Sequence, residues 1–224
     1  MKKIPFILMA VMAVLVSFYP LLYLFGESRF GLLDSKTETL LNNFAWKAGF
    51  YAHIVPGGIA MLLGWVQFVD RWRIRYPRFH RSAGKIYVAA ALTASLAAFC
   101  ISFFSTGGFI PATGFMLLGI IWFLSTLKAY SSIRKFRIEE HRRMMIYSYA
   151  ACLSAVTLRI YLPALIMAFD DFIIAYSIVA WLSWIPNLLI AYMLINYRRN
   201  ADEDAAKSST ALPDDEPSVA TQAL

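Results

Sequence analysis

Six long apolar runs constrain this chain more than any other feature, because each is close to the ~20 residues that a helix needs to cross ~30 Å of hydrocarbon. Of the 224 residues, 59% are hydrophobic, and the mean hydropathy of +0.57 is not that of a water-soluble domain. The runs are too long for the strands of a membrane barrel, and lipid-exposed backbone must pair within its own segment. The sequence therefore predicts an all-α polytopic transmembrane bundle of six helices, over approximately residues 5–26, 48–69, 86–106, 109–130, 144–169 and 172–197.

Basic residues are concentrated at one side of the predicted membrane. Of the 21 Lys and Arg residues, 17 fall in segments that share a side with the N terminus, and Arg159 alone lies within an apolar run. The other side holds only Arg29, Lys36 and Lys47. The positive-inside rule then places both termini in the cytoplasm. The net charge of +7 is explained by this topology, so the sequence predicts no nucleic-acid partner.

The chain divides into three predicted regions. Residues 1–47 hold the first transmembrane helix and an external loop, whose leucines can form an amphipathic helix on the outer leaflet. Residues 48–197 form a five-helix membrane core. Residues 198–224 are rich in Asp, Glu, Ser, Thr and Ala, which predicts a disordered acidic cytoplasmic tail.

Two histidines form the first candidate site, at the cytoplasmic face. His80 and His141 each begin a helix within an arginine-rich stretch, at similar predicted depth. Two neutral imidazoles can ligate the iron of a b-type haem, and Arg81 and Arg142 can hold its propionates. Alternatively, Glu140 can join the two histidines on a divalent metal. A third interpretation keeps these residues as interfacial groups near phospholipid headgroups.

The second candidate site combines His53 with Arg159 near the outer face. Pro56 follows His53 and frees a carbonyl beside it, because proline disrupts the helical hydrogen bond of the residue four positions earlier. A charge inside the membrane costs several kcal/mol unless it is paired or wetted. No acidic residue is predicted at the depth of Arg159, which favours an anionic ligand, a quinone head or a haem propionate. Alternatively, both side chains bond backbone and hold the bundle together.

Four motifs in the core occur as a set, and together they resemble an uncharacterised family of bacterial multi-pass membrane proteins. The resemblance covers about residues 48–197 and implies a bacterial cytoplasmic (inner) membrane location, without implying an activity. More distantly, the bundle is similar to b-type cytochrome and ferric-reductase-like membrane proteins, which implies haem held by a histidine pair. The motifs are His53-x-x-Pro-Gly-Gly, Arg-x-Arg-x-Pro-x-x-His-Arg-x-x-Gly-x-x-Tyr at 73–87, Glu140-His141-Arg142-Arg143-Met and Thr157-Leu-Arg159-Ile.

Three functions follow from these sites. The first is membrane electron transfer through a b-type haem or metal at His80 and His141, with a quinone or anion site at His53 and Arg159. The second is non-redox binding or transport of a small anion or lipid through a pocket formed by His53 and Arg159. The third is a ligand-free structural or regulatory role. Phosphate-binding loops, zinc-protease helices, nucleophile elbows and dithiol motifs are absent from the sequence, which disfavours hydrolytic, ATP-driven and thiol-redox enzymes.

Overall fold

The computed structural model describes residues 3–25 and 31–210, and this part of the chain is helical without any strand. Two 3₁₀ helices, Gly31–Ser35 and Trp65–Phe68, accompany the α-helices. The α-helices are α1 (Lys3–Ser17), α2 (Pro20–Phe25), α3 (Glu38–Leu41), α4 (Phe44–Gly64), α5 (Asp70–Arg75), α6 (Pro77–Ser102), α7 (Phe109–Arg134), α8 (Ile138–Cys152), α9 (Ser154–Phe169), α10 (Phe172–Leu182) and α11 (Ile185–Thr210).

Six helical segments within the described ranges are long and apolar enough to cross a membrane, which confirms the predicted fold class. Two of them begin earlier than hydropathy indicates. Span 3 starts at Pro77, which suits the first helical turn because its missing N–H has no helical partner there. Span 5 starts at Ile138. The spans are Ile4–Phe25, Phe44–Phe68, Pro77–Ser102, Phe109–Arg134, Ile138–Phe169 and Phe172–Asn200.

The bundle has two chemically different ends. At the first, called the capped end, residues 31–43 pack against the turn at residues 103–108, and the Ser35 and Thr106 hydroxyls lie 2.9 Å apart. The second, called the arginine-rich end, holds α5 and the turn between α7 and α8. The positive-inside rule predicts that the capped end faces outward.

The segment at the capped end folds onto the bundle rather than away from it. Leu33 and Leu41 are buried and form a cluster with Trp46 at the start of α4. At the opposite end of the chain, α11 continues to Thr210, so its helix extends into the predicted acidic tail. The rest of that tail, residues 211–224, lies outside the described residues.

Small residues allow the central helices α4, α6, α7 and α8 to pack closely. Ala90, Ala91 and Ala94 present one buried stripe of α6, as small-residue interfaces do in membranes. Gly64 of α4 is the tightest point: a Cβ there would lie 2.2 Å from the ring of Tyr149. The central core therefore leaves no room for a larger residue at position 64.

Spans 5 and 6 are both interrupted. Span 5 breaks at Leu153, between α8 and α9, and span 6 breaks at Ser183, between α10 and α11. A polar cross-link joins the breaks, because the Thr157 hydroxyl donates to the Ser183 carbonyl and Asn187 Nδ2 donates to Thr157 Oγ1 at 3.0 Å. Apolar residues of α9 and α10 form a second cluster, which Phe115 of α7 joins and which is distinct from the main cluster of the central helices.

Candidate functional site

A cavity of about 230 Å³ lies in the half of the bundle nearer the capped end. All six spans and the segment at the capped end contribute to its lining, which is largely apolar. Broken span 5 contributes residues on both sides of its interruption, Cys152 and Ser154. His53 and Arg159 both line this cavity, so the two residues of the second candidate site are brought to one place.

His53 is fixed by a hydrogen bond across to span 3. Its Nδ1 lies 3.0 Å from the carbonyl oxygen of Ala94. Because a carbonyl only accepts, Nδ1 carries the proton, and in the neutral ring Nε2 is the remaining acceptor. His53 therefore presents a defined tautomer on the cavity wall.

Arg159 is partly buried, with its Nε shielded from solvent, and lies within electrostatic range of His53. Its Nη1 donates to the Ala155 carbonyl at 2.7 Å, one turn earlier on α9. The guanidinium carbon lies 4.0 Å from the ring centroid of Tyr19, a cation–π contact with span 1. Within the described ranges no carboxylate forms an ion pair with Arg159, and its Nε–H is buried without a hydrogen-bond partner.

Two tryptophans on the same cavity also hold unsatisfied donors. Trp46 Nε1 is buried without a hydrogen-bond partner among the described atoms. Trp122 Nε1 approaches the Tyr87 hydroxyl but does not meet hydrogen-bond geometry with it. A buried donor without a partner costs roughly 1–3 kcal/mol. Among the buried side-chain atoms that lack a partner in the described residues, those of Arg159, Trp46 and Trp122 belong to residues that line the cavity.

A second cation, Lys36, lines the cavity from the capped end. Its ammonium group donates to the carbonyl of Phe104, in the turn between α6 and α7. Partial burial lowers the pKa of Lys36 to about 8, because desolvation penalises the charged form. Near pH 7 the lysine remains largely protonated, so the cavity carries two positive charges.

The Pro-Gly-Gly sequence after His53 serves two different purposes. A Cβ at Gly58 would lie 2.7 Å from the backbone oxygen of Ser17, so this glycine permits the close approach of span 1. A Cβ at Gly57 would meet only the Cβ of Ala94, at an ordinary 3.8 Å. Gly57 lines the cavity, and its contact with span 3 leaves room for a methyl group.

The first candidate site lies at the arginine-rich end. His80 is in the first turn of α6 and His141 in the first turn of α8, and the two imidazoles are within electrostatic range of each other. His141 Nδ1 lies 2.9 Å from the Ala129 carbonyl oxygen, so Nδ1 is the donor and Nε2 stays available. The structure thus brings the two histidines into one neighbourhood.

The charged residues predicted to assist these histidines are engaged elsewhere. Glu140 pairs with Lys128 at 3.4 Å and with Arg137 at 3.5 Å. Arg142 pairs with Glu139 at 3.1 Å, and Arg81 Nε donates to the carbonyl of Pro77. Across the described residues no group of three His, Cys, Asp or Glu side chains is placed to hold a metal ion.

Sequence reasoning did not identify Lys36, Trp46, Trp122 or Cys152 as cavity residues. Lys36 lies between the polar residues Ser35 and Thr37, and this local sequence carries no signal for burial. The positions of Lys36 and Trp46 depend on how the segment at the capped end packs on the bundle, and no local pattern encodes that.

A family described as predicted membrane proteins, DUF2306, matches residues 50–195 of the chain. The matched range contains His53, His80, His141 and Arg159. The description names a membrane protein and no activity. No match to the chain was found among curated proteins or among solved structures. Because the match covers more than half of the chain, the protein belongs to this family of membrane proteins.

Proposed function

We propose that this DUF2306 membrane protein binds a small acceptor-bearing ligand in the cavity lined by His53 and Arg159, without a redox step. The proposal places the protein in a bacterial cytoplasmic membrane with the capped end outward and both termini inside. In this proposal residues 48–197 form the functional core, and the segment at the capped end closes the cavity over it.

One observation carries the proposal: Arg159 lines the cavity, its shielded Nε–H has no hydrogen-bond partner, and no carboxylate within the described ranges pairs with it. An unpaired charge inside a membrane protein is costly and is normally retained for function. Arg159 donates from Nη1 to the carbonyl of Ala155, while its Nε has no hydrogen-bond partner among the described residues.

Interrupted helices beside the cavity support the same interpretation. Irregular backbone at membrane depth is tolerated where it lines a cavity or is buried in protein. Span 5 breaks at Leu153, and the flanking Cys152 and Ser154 are on the cavity wall. Leu153 keeps right-handed helical dihedral angles, φ −65° and ψ −9°, and its N–H donates to the carbonyl of Tyr149 at 2.9 Å, so the interruption is a single distorted turn on the cavity wall.

The test is thermal stabilisation of the detergent-purified protein by a panel of small probes: hexanoate, benzoate, inorganic phosphate and a water-soluble quinone head. We expect at least one probe to raise the melting temperature, because a ligand that binds only the folded state stabilises it. The shift should disappear in Arg159→Met and in Ala98→Leu, a variant that fills the cavity from span 3.

His80→Ala and His141→Ala are the matched controls, since both residues lie at the arginine-rich end. They should keep the probe-dependent shift. A panel in which no probe stabilises the wild-type protein, or a shift that survives both Arg159→Met and Ala98→Leu, would contradict the proposal.

A second candidate is electron transfer through a b-type haem at His80 and His141. The proximity of the two imidazoles favours it, together with the backbone bond that orients His141 and leaves its Nε2 available. A backbone carbonyl bonded to the far nitrogen is the usual support of a ligating histidine. The visible spectrum of protein expressed with adequate haem tests this candidate. Electron transfer through haem requires a Soret band in the wild-type protein that is absent from His80→Ala and His141→Ala.

A further inference from the structure

We infer that the ligand of the cavity is a small organic monoanion, a carboxylate attached to a compact apolar body. This inference rests on the proposed function and narrows it to one chemical class. It follows from three properties of the cavity: the sign of its charge, the character of its walls and its size.

The charge of the cavity favours an anion over a neutral carbonyl compound. Arg159 and Lys36 both line it, and the lining residues within the described ranges include neither Asp nor Glu. A neutral quinone or amide would accept hydrogen bonds but leave both cations uncompensated in a region of low dielectric constant, where charge interactions are strong. A carboxylate compensates one of them and matches the planar fork of Arg159.

The walls favour an organic body over an inorganic ion. Leu118 of span 4, Met61 of span 2 and Leu158 of span 5 contribute apolar surface to the same cavity. Inorganic phosphate would lose its hydration against these walls without enough hydrogen-bond partners, and burying polar groups unpaired is costly. An apolar body attached to the anion instead gains from leaving water.

Size favours a compact body. The cavity volume is about 230 Å³, which suits a single ring or a short chain, as in benzoate or hexanoate, better than a two-chain phospholipid. The cavity is also smaller than the ~300–1,000 Å³ typical of sites for drug-sized ligands.

The donors determine where the carboxylate binds. Arg159 Nε forms no hydrogen bond within the described residues, and His53 Nε2 can donate when protonated or accept when neutral. A carboxylate at Arg159 would satisfy the orphan Nε–H by a charge-assisted hydrogen bond, which is stronger than a neutral one. The apolar body then lies against the walls named above.

The experiment compares isosteres on the wild-type protein in detergent by isothermal titration calorimetry. Benzoate is set against benzamide and benzyltrimethylammonium, and hexanoate against 1-hexanol and inorganic phosphate. We expect each carboxylate to bind at least about tenfold more tightly than its neutral isostere, as the loss of one charge-assisted hydrogen bond predicts. The cation and phosphate should show no saturable binding.

Arg159→Met should remove the preference for benzoate over benzamide, and Arg159→Lys should restore part of it, because the charge returns without the planar fork. Equal or tighter binding of benzamide or 1-hexanol, or saturable binding of phosphate, would overturn the inference while leaving the proposed function intact. Absence of binding by every compound would instead contradict the proposed function itself. Since the main comparison uses the wild-type protein, the result does not depend on any variant folding.

Discussion

The two ends of the bundle differ in how their charged side chains are paired and exposed to solvent. At the arginine-rich end, Glu140 pairs with Lys128 and Arg137, and each of these two cations has a side chain more than half exposed. In the cavity near the capped end, Arg159 is partly buried against Tyr19 without a carboxylate among the described residues. Paired and solvated charges are sufficient for topology, whereas an unpaired buried charge calls for another explanation.

Helix α4 is packed more tightly in the half of the bundle at the arginine-rich end than in the half that contains the cavity. Gly64, near the arginine-rich end of α4, faces buried aromatic rings at a distance that admits no side chain. Gly57, two turns earlier on the same helix, faces the cavity and only the Cβ of Ala94. The helix is thus packed tightly in one half and retains space in the other, as expected where a binding site interrupts a core.

The largest expected effect tests this contrast in packing. Gly64→Ala should lower the free energy of unfolding by about 1–3 kcal/mol, because the new Cβ would clash with the buried Tyr149 ring. Gly57→Ala is the matched control on the same helix and should cost nothing, since its Cβ meets an ordinary 3.8 Å contact. Thermal unfolding followed by circular dichroism measures both. Equal losses would show that the half with the cavity is packed as tightly as the other.

A second prediction separates a ligand-binding Arg159 from a structural one. Arg159→Met should raise the melting temperature of the ligand-free protein by about 2–4 °C, the equivalent of about 1 kcal/mol for a chain of this size. The desolvation cost that the substitution removes should exceed the lost contacts with Tyr19 and Ala155. Function and stability commonly oppose each other at binding sites in this way.

Arg142→Gln at the arginine-rich end serves as the comparison. Arg142 pairs with Glu139 at 3.1 Å on the exposed surface, so its loss should change stability by less than about 1 kcal/mol. A clear fall in the melting temperature of Arg159→Met would assign Arg159 to holding the bundle together.

The sequence alone was sufficient for the six spans, because hydropathy and length report the thickness of the bilayer directly. The sequence also grouped His53 with Arg159 as one candidate site from their similar depth, and both residues line the cavity; that they bind a ligand stays a prediction. Helix starts were predicted late at Pro77 and Ile138, because the basic residues that begin these helices are polar and hydropathy excludes them.

The sequence was not sufficient for the interrupted spans. Leu153 has no glycine or proline beside it, and the break there becomes visible only with its partner at Ser183 in span 6. Side chains such as Thr157 and Asn187 form a bridge of this kind only after two helices have packed. The positions of Lys36 and Trp46 likewise follow from tertiary packing of the segment at the capped end.

The hydrogen bonds of Thr157 and Asn187 that link the interruptions of spans 5 and 6 allow a further test, with a smaller expected effect. Asn187→Leu removes the bonds from Nδ2 to Thr157 Oγ1 and to the Ser183 carbonyl, which should cost roughly 0.6 kcal/mol, as buried polar contacts in membrane proteins do on average. Amide hydrogen exchange should increase in α9 and α10, because the apolar cluster of this hairpin is distinct from the main cluster of the central helices. Thr157→Val should act through the same bridge, so the double variant should lose less than the sum of the two. An equal increase of exchange in α6 and α7 would show that the hairpin is not a separate unit.

The smallest expected effect is the pH dependence that Lys36 confers at the capped end. Its pKa is lowered to about 8 in the folded protein, while an unfolded lysine keeps a value of 10.5. Between these values the unfolded chain binds more protons, so the stability contributed by this group rises as pH increases from about 8 towards 10.5. The melting temperature of the wild-type protein should rise over this interval relative to that of Lys36→Met, by a small amount because the side chain is only partly buried.

Benzoate binding should weaken over the same pH interval in the wild-type protein and not in Lys36→Met, because deprotonation removes one of the two cations of the cavity. Parallel curves for the two proteins would place Lys36 outside the electrostatics of the site and leave Arg159 as the cation on which the contrast between the two ends depends.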